Sequence, residues 1–359
     1  MCETPKIGID IFSGAGGLSL GAIKAGIVIQ VAIEIDENSA KTFKRNHPDS
    51  TVLMKDIRMI DPIELNTPEP FIIFGGPPCQ GFSVSNLRTR TNENENNSLF
   101  KEFVRFVSQL KPKWFLFENV EGIVSFEKGE VVKEIVAIFT KLGYKVDWKV
   151  LNSVNYGVPQ ERNRFILVGN NLNLEFKFPE GNCSKVTVEE AIGDLPLLKN
   201  GESSESLPYE STGSMYAQKM RNGTKYSLQN FVSRNTDIVL ERYKHINQGQ
   251  NWKAIPSELM NNYKDRTRCH SGIYKRLKAN KPSVVISNYR KNMLIHPHQN
   301  RGLSVREAAR IQSFPDNFLF EGSLMHQQQQ IGNAVPPMLA ERLFQSIIEI
   351  DSLNGKPQI

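Results

Sequence analysis

The most directed chemistry in this sequence gathers around Cys79, in the stretch FIIFGGPPCQGFSVSN. A cysteine that only fills a core needs no frame of glycines and prolines, because a small hydrophobe packs in any strand or helix. A rigid turn, by contrast, lowers the entropic cost of holding a thiolate, a strong nucleophile, in attack geometry. Two further reactive elements follow along the chain. KWFLFEN delivers the carboxyl of Glu118, and YGVPQERNRFILVG carries Arg162 and Arg164, two residues apart and so on one side of an extended segment. A nucleophilic sulfur, a carboxyl and one or two guanidiniums suit an electron-poor heterocycle. The sulfur adds to the ring, the acid protonates or hydrogen-bonds a ring nitrogen, and an arginine holds a carbonyl. Taken singly, Cys79 reads equally well as packing, Glu118 as a helix cap and the arginines as a salt-bridged surface. Their joint arrival at successive strand ends favours a site.

A second set of residues has the pattern of a cofactor site. DIFSGAGG is a glycine-rich turn between a strand and a helix, which lets a ligand approach the backbone at a helix N-terminus. Glu34 stands 20 residues after Gly14, at the end of the second strand, where an acid meets ribose hydroxyls. Asp56, after TVLMK, is a further strand-end acid, able to accept a hydrogen bond from an adenine amino group. Together they predict an adenosine-containing cofactor at the carboxyl edge of a sheet. NAD would fit almost as well as S-adenosylmethionine, but the spacing departs from GxGxxG, which points away from a dinucleotide. The cysteines Cys2, Cys79, Cys183 and Cys269 form no CxxC pair, so neither a zinc ribbon nor a disulfide framework is indicated. His296 and His298 have no Cys, Asp or Glu close by in sequence to complete a metal site, and no metal is expected.

The elements that must position these residues alternate between strand and helix in the first half. KIGIDIF places Ile7, Ile9 and Ile11 at strand spacing, and IVIQVAIE, FIIF and KWFLFEN read as further strands. ENSAKTFKRN reads as a helix with Ala40 and Phe43 inward. From Ser98, taken as an N-cap, a helix runs to Pro112 with Leu99, Phe103, Phe106, Val107 and Leu110 on one face. This alternation implies an α/β fold, a parallel sheet covered on both faces. From about residue 180 the pattern gives way to text such as NGESSESLPYESTGS, which marks a domain boundary. Order returns with a capping box, Ser304 to Glu307, and with PPMLAERLFQSIIEI, an amphipathic helix aligning Leu339, Leu343 and Ile347. At 359 residues, about two domains are expected. The absence of a long apolar run or a signal-peptide pattern predicts a cytoplasmic protein without a membrane span.

Charge is unevenly spread. Residues 219–278 hold 13 Lys and Arg against 4 Asp and Glu, a net of +9 in a chain whose total is +6. Tyr226, Phe231, Tyr243, Trp252, Tyr263 and Tyr274 are interleaved with them, as expected of a surface facing phosphates and base edges.

Six ordered motifs, DIFSGAGG, GGPPCQGFS, FENV, QERNR, RGLSVREAARIQSFPD and QQIGNAVPP, resemble those of the cytosine-5 DNA methyltransferases, over the whole chain except roughly 180–265. The resemblance implies a Rossmann-like, S-adenosylmethionine-dependent methyltransferase domain with a mixed sheet and a smaller target-recognition domain. It implies a catalytic and cofactor-binding domain at 1–179, target recognition at 180–300, a hinge segment at 301–325, and a C-terminal helix at 326–359 returning to the catalytic domain. By the same likeness Cys79 adds to C6 of a cytosine flipped from duplex DNA, Glu118 engages N3, Arg164 contacts O2 and the Pro77 carbonyl faces the exocyclic amine, with Arg162 in the catalytic set. Cofactor contacts carried over are Phe12, Gly14, Gly17, Glu34, Ile35, Asp56, Ile57, Pro78, Leu99, Asn333 and Val335. Residues 81–97 correspond to a loop that closes over the base, with Gln80, Ser83, Ser85, Arg88 and Arg90 toward the substrate.

Departures from the family pattern are local. Ile35 stands where some members stack a tryptophan on adenine, TNENENNSLF lacks an arginine common just before LF, and KPSVVIS replaces a more usual Pro-Ser-x-Thr pattern. The resemblance also implies a monomer reading a short palindrome, with a restriction endonuclease as functional partner. Rival readings are a methyltransferase of transfer RNA, a catalytically silent DNA-binding regulator of the same fold, and an NAD-dependent oxidoreductase.

Overall fold

The computed structural model describes residues 4–67, 69–78, 97–261, 272–287, 289–291 and 293–354. The chain divides into two compact units, the first comprising 1–156, 163–182 and 337–359, the second 157–162 and 183–336.

The strands of the first unit are β1 (Ile7–Ile11), β2 (Val28–Glu34), β3 (Thr51–Met54), β4 (Ile72–Gly75), β5 (Trp114–Val120), β6 (Lys145–Asn152) and β7 (Asn163–Asn170). They form one seven-stranded sheet in the order β3-β2-β1-β4-β5-β7-β6. β1 to β5 run parallel, and β7 is antiparallel to both of its neighbours, the mixed sheet expected. Strand alternation sorts the side chains to two faces. Ile9, Ile11, Ile73, Phe115 and Phe117 pack with Phe103, Phe106 and Val107 of α3 (Asn97–Leu110) and with Val132, Ile135 and Phe139 of α4 (Glu130–Lys141). On the opposite face Phe74 meets Phe344 of α10 (Pro337–Asn354) edge-on, ring centroids 4.9 Å apart, and Trp114 donates to Asp351 at 3.2 Å. There α1 (Gly17–Lys24) lies so close to α10 that a β-carbon on Gly21 would stand 2.4 Å from that of Ala340. α2 (Glu37–Asn46) buries Ala40 and Phe43 as its spacing predicts. α3 begins at Asn97, so Ser98 lies inside its first turn rather than capping it.

The second unit contains more regular structure than its sequence suggests. SSESLP, inside text that reads as irregular, forms β8 (Ser203–Pro208) and pairs antiparallel with β9 (Tyr226–Phe231). Pairing of this kind rests on backbone hydrogen bonds and leaves no apolar alternation to detect. Five helices, α5 (Val188–Ile192), α6 (Met215–Arg221), α7 (Asp237–Lys244), α8 (Val305–Ile311) and α9 (Leu324–Asn333), complete its described helical turns of α type. The capping box at α8 forms as read: the Glu307 N–H donates to Ser304 Oγ, and the Ser304 N–H donates to the Glu307 carboxylate at 2.7 Å. Residues 301–325 lie within this unit and carry its most charged interior. Arg310 is wedged between Asp194 at 3.0 Å and Asp316 at 2.5 Å, and Arg301 meets Glu307 at 2.6 Å. Burial opposes ionisation of Glu307, but Arg301 together with His296 and the Ser304 N–H outweighs it and holds the carboxyl at about 2.

The basic segment also turns partly inward. Arg221 closes on Asp194 at 2.7 Å, Arg242 donates to the Leu259 carbonyl and the Tyr274 hydroxyl, and Arg276 donates to the carbonyls of Tyr243, Ile246, His296 and Gln299. The expectation of a single phosphate-facing surface is therefore too broad, since these three cations tie the unit together from within. His296 and His298, without carboxylates nearby in sequence, meet Glu307 at 3.6 Å and Glu189 at 2.7 Å in space. Burial lowers the His296 imidazole to about 4, and no cluster suited to a metal ion occurs among the described residues.

Candidate active site

The carboxyl ends of β1, β2, β3 and β4 carry the first group of expected residues to one edge of the sheet. After β1 the chain turns through Phe12 at φ 64° and Gly14 at φ 54°, both left-handed, and Gly17 opens α1. The Gly14 N–H donates to Glu34 Oε2 at 2.7 Å, and the Asp36 N–H to Glu34 Oε1 at 2.8 Å, so the carboxylate at the end of β2 is fixed from both sides. Burial raises the Glu34 pKa against the pull of those bonds. The next residue, Ile35, is 67% exposed, an apolar surface beside a fixed acid. At the end of β3, Asp56 caps a single 3-10 turn, Ile57–Met59, and its carboxyl is clasped by Arg58 at 2.5 Å, which holds it below the usual range. Ile57 is buried and Leu99 lies partly buried against the same core.

Asp10, two residues before Phe12 and inside β1, is a carboxyl that sequence reasoning passed over. It is sealed in β1, accepts from Ser19 Oγ at 2.6 Å through one oxygen, and has no partner for the other among the described residues. Burial, and secondarily the charge of Glu34, push its pKa well above the usual carboxyl value of 3.8. The only signal in sequence was a charge set inside the apolar run IGIDIF. Because the folded chain retains this proton where the unfolded chain releases it, stability is full below pH 3.8 and declines as the pH climbs toward the raised value. Asp10→Asn, which keeps the acceptor for Ser19, is expected to raise the melting temperature of the free protein by a few degrees at pH 8 and to change it little at pH 4. An equal shift at both would remove the titration from the explanation.

The second group converges where β4, β5 and β7 meet. Glu118 faces Ile166 in the β5–β7 register and Arg164 faces Val120, so the two side chains are diagonal neighbours on one face. Arg164 Nε lies 2.8 Å from Glu118 Oε1, with both side chains nearly sealed, and burial lowers the arginine pKa while Glu118 opposes the shift. The two glycines before the prolines have separate reasons. A β-carbon on Gly75 would stand 1.7 Å from the Ile11 carbonyl oxygen, inside the sheet, whereas one on Gly76 would stand 2.4 Å from Glu118 Oε2. Asn119, which sequence reasoning also missed, donates to the Pro77 carbonyl at 3.2 Å and so anchors the turn that leads to Pro78.

Other expected residues are distributed differently. Arg162 does not share the surroundings of Arg164: it belongs to the second unit and donates to the carbonyls of Ile286, Gly332 and Ala334 at 3.2, 2.8 and 3.0 Å. Its spacing from Arg164 implied a shared side, but Arg162 precedes the first residue of β7, so strand alternation does not extend to it. Asn333 ends α9 and Val335 is buried just beyond it, both in the second unit. Cys79, Gln80, Ser83, Ser85, Arg88 and Arg90 lie outside the described residues, as do Cys2, Tyr263 and Cys269.

Comparison with known proteins adds four likenesses. A sequence profile for C-5 cytosine-specific DNA methylase matches residues 7–349. Type II methyltransferase M1.HphI of Haemophilus parahaemolyticus is 37% identical over 350 residues, covering 96% of this chain and 87% of that protein. M.DdeI of Desulfomicrobium norvegicum, also a Type II methyltransferase, is 36% identical over 365 residues, covering 94% and 88%. Among solved structures, a DNA modification methyltransferase encoded within an E. coli prophage superposes with a TM-score of 0.77 at 27% identity, covering 96% of this chain and 99% of that one.

Proposed function

Because this chain belongs to the C-5 cytosine-specific DNA methylase family and is a DNA (cytosine-5-)-methyltransferase, we propose that it transfers the methyl group of S-adenosylmethionine to carbon 5 of a cytosine flipped from a short duplex sequence. Its likeness to Type II methyltransferases supports a protective role beside a restriction endonuclease. The observation that carries the chemistry is the nearly sealed Glu118–Arg164 pair, lying against Gly76 and one residue from the carbonyl that Asn119 anchors.

The residues at the sheet edge fit this cofactor better than a dinucleotide. Asp10 is buried and Glu34 half-buried, and each carboxyl is raised, chiefly by burial. Beside two carboxyls whose charge burial disfavours, a positively charged sulfonium would be favoured, whereas a pyrophosphate would be repelled. Glu34 would hold the ribose, Asp56 and Ile57 the adenine, and the exposed Ile35 would cover its face. The cofactor, when bound, supplies an electrophilic methyl group. The thiolate of Cys79 bonds to C6 of the cytosine and thereby makes C5 nucleophilic. Glu118, oriented by Arg164, supplies the hydrogen bond or proton at N3 that draws electrons toward the ring nitrogen. Arg164 would hold O2, and the Pro77 carbonyl would accept from the exocyclic amine. Once C5 is methylated, loss of its proton to a base expels the Cys79 sulfur and restores the aromatic ring.

The test is methyl transfer from labelled S-adenosylmethionine to plasmid DNA, with the parent protein beside Cys79→Ser, followed by conversion sequencing. Label at C5 of one short motif, reduced by at least about a thousandfold in the variant, is expected. Label on transfer RNA instead would move the protein to an RNA substrate, and label on neither would leave a DNA-binding regulator.

A further inference from the structure

The geometry points to Arg105 as a positioning residue for the adenine end of the cofactor site, an assignment that rests on the function proposed above. Asp56 and Ile57 sit on a 3-10 turn of three residues, too short to hold itself. Its own hydrogen bonds are Met59 N to the Asp56 carbonyl at 2.9 Å, Ile60 N to the Ile57 carbonyl at 3.2 Å and the Arg58 N–H to Asp56 Oδ1 at 3.0 Å. Arg105 reaches this turn from α3, 45 and 48 residues away in sequence, and its planar fork closes on both ends of it. Nη2 donates to the Ile57 carbonyl at 2.9 Å, and Nη1 donates to the Ile60 carbonyl at 3.0 Å.

The fork is itself held. Arg105 Nε donates to Glu102 at 2.7 Å, one turn earlier on the same helix, and its guanidinium lies over the Phe106 ring at 5.1 Å from the centroid. Two parallel N–H groups on a rigid plane can span two carbonyls that the single point charge of a lysine cannot. The side chain is 28% exposed, so water can replace it at the carbonyls, and its loss loosens the turn more than it unfolds the chain. Arg58, by contrast, clasps the Asp56 carboxyl from within the turn and is half exposed. Beside the burial of Ile57 and Ile60 in the core, Arg105 is therefore a tie that fixes the turn's backbone to α3.

The experiment measures binding of S-adenosylhomocysteine and of 5′-methylthioadenosine, which carries the adenosine without the amino-acid tail, to the full chain by titration calorimetry. Arg105→Ala is expected to weaken both ligands by about tenfold, with kcat at saturating S-adenosylmethionine within about twofold of the parent, since an effect on cofactor binding alone appears in KM. Soluble guanidinium is expected to restore part of the loss, and Arg105→Lys to fall between the two. Arg105→Gln carries the same test should the alanine variant fail to fold. Unchanged affinity for both ligands, or a loss confined to S-adenosylhomocysteine, overturns the assignment, as does a fall in kcat with affinity intact. A parent protein that binds neither ligand overturns the cofactor reading and this assignment with it, whereas a parent that binds both beside an indifferent variant overturns the assignment alone.

Discussion

Glu118→Gln is expected to bind S-adenosylhomocysteine and DNA as the parent does, while methyl transfer falls by about two to four orders of magnitude. Gln keeps an acceptor at the place where Arg164 Nε meets Glu118 Oε1 at 2.8 Å, so the local geometry survives. It cannot supply a proton to N3, and it no longer balances a guanidinium that is nearly sealed from water. Glu118→Ala goes further. Breaking a buried pair by removing one partner costs roughly 3–5 kcal/mol, which lowers the melting temperature as well as the rate. Single-turnover methyl transfer, calorimetric binding and thermal unfolding on the three proteins separate the two effects. A Gln variant retaining more than about a tenth of the parent rate would show that the carboxyl orients the base without donating to it.

The second large effect is expected one residue into the glycine pair. In Gly76→Ala the new methyl group would lie 2.4 Å from Glu118 Oε2 and 3.4 Å from its carbonyl oxygen. A free carboxylate would swing aside at little cost, but this one is tied to Arg164. Either the ion pair breaks or the end of β4 moves, carrying the Pro77 carbonyl with it. Methyl transfer should fall by at least about a hundredfold, because catalytic geometry tolerates little displacement. The double variant Gly76→Ala with Glu118→Gln distinguishes the routes: if the methyl acts through the carboxylate, the double is little worse than Glu118→Gln alone. Additive losses would place the damage in the backbone instead. Gly75→Ala is the contrasting case, since its β-carbon would meet the Ile11 carbonyl oxygen inside the sheet and disrupt folding.

The first unit was legible in sequence wherever a periodic apolar pattern met a glycine or an acid. Strand spacing in KIGIDIF and FIIF located β1 and β4, and the acids that end their neighbours, Glu34 and Asp56, arrived at one edge because parallel strands end on the same side. What pattern could not show was the partner of each polar group. Asp10 lay inside the strand pattern of KIGIDIF and Asn119 at the end of that of KWFLFEN, and neither pattern named a partner. Arg105 looked like one more charge on an amphipathic helix, although its fork serves a turn 45 and 48 residues upstream. Arg162 shows the limit of spacing alone. Two residues of spacing suggested a common role with Arg164, but the strand begins between them. The second unit hid its order for a further reason. Its interior is held by Arg301, Arg306 and Arg310, and hydrophobic periodicity is blind to a core of paired charges.

The close seat of α1 against α10 has a consequence for how the protein comes into being. The glycine that admits that contact is Gly21, while its partner, Ala340, is made more than three hundred residues later. On a ribosome the second unit, ending at Pro336, is therefore released before the helix that closes the first. At roughly 5–20 residues per second, the face of β4 that Phe344 will cover waits on the order of ten to thirty seconds after its own sheet has been made. During that interval the nascent chain offers a sheet with one apolar side open, a natural substrate for a chaperone. Synthesis halted just short of residue 337 would leave that side open for good.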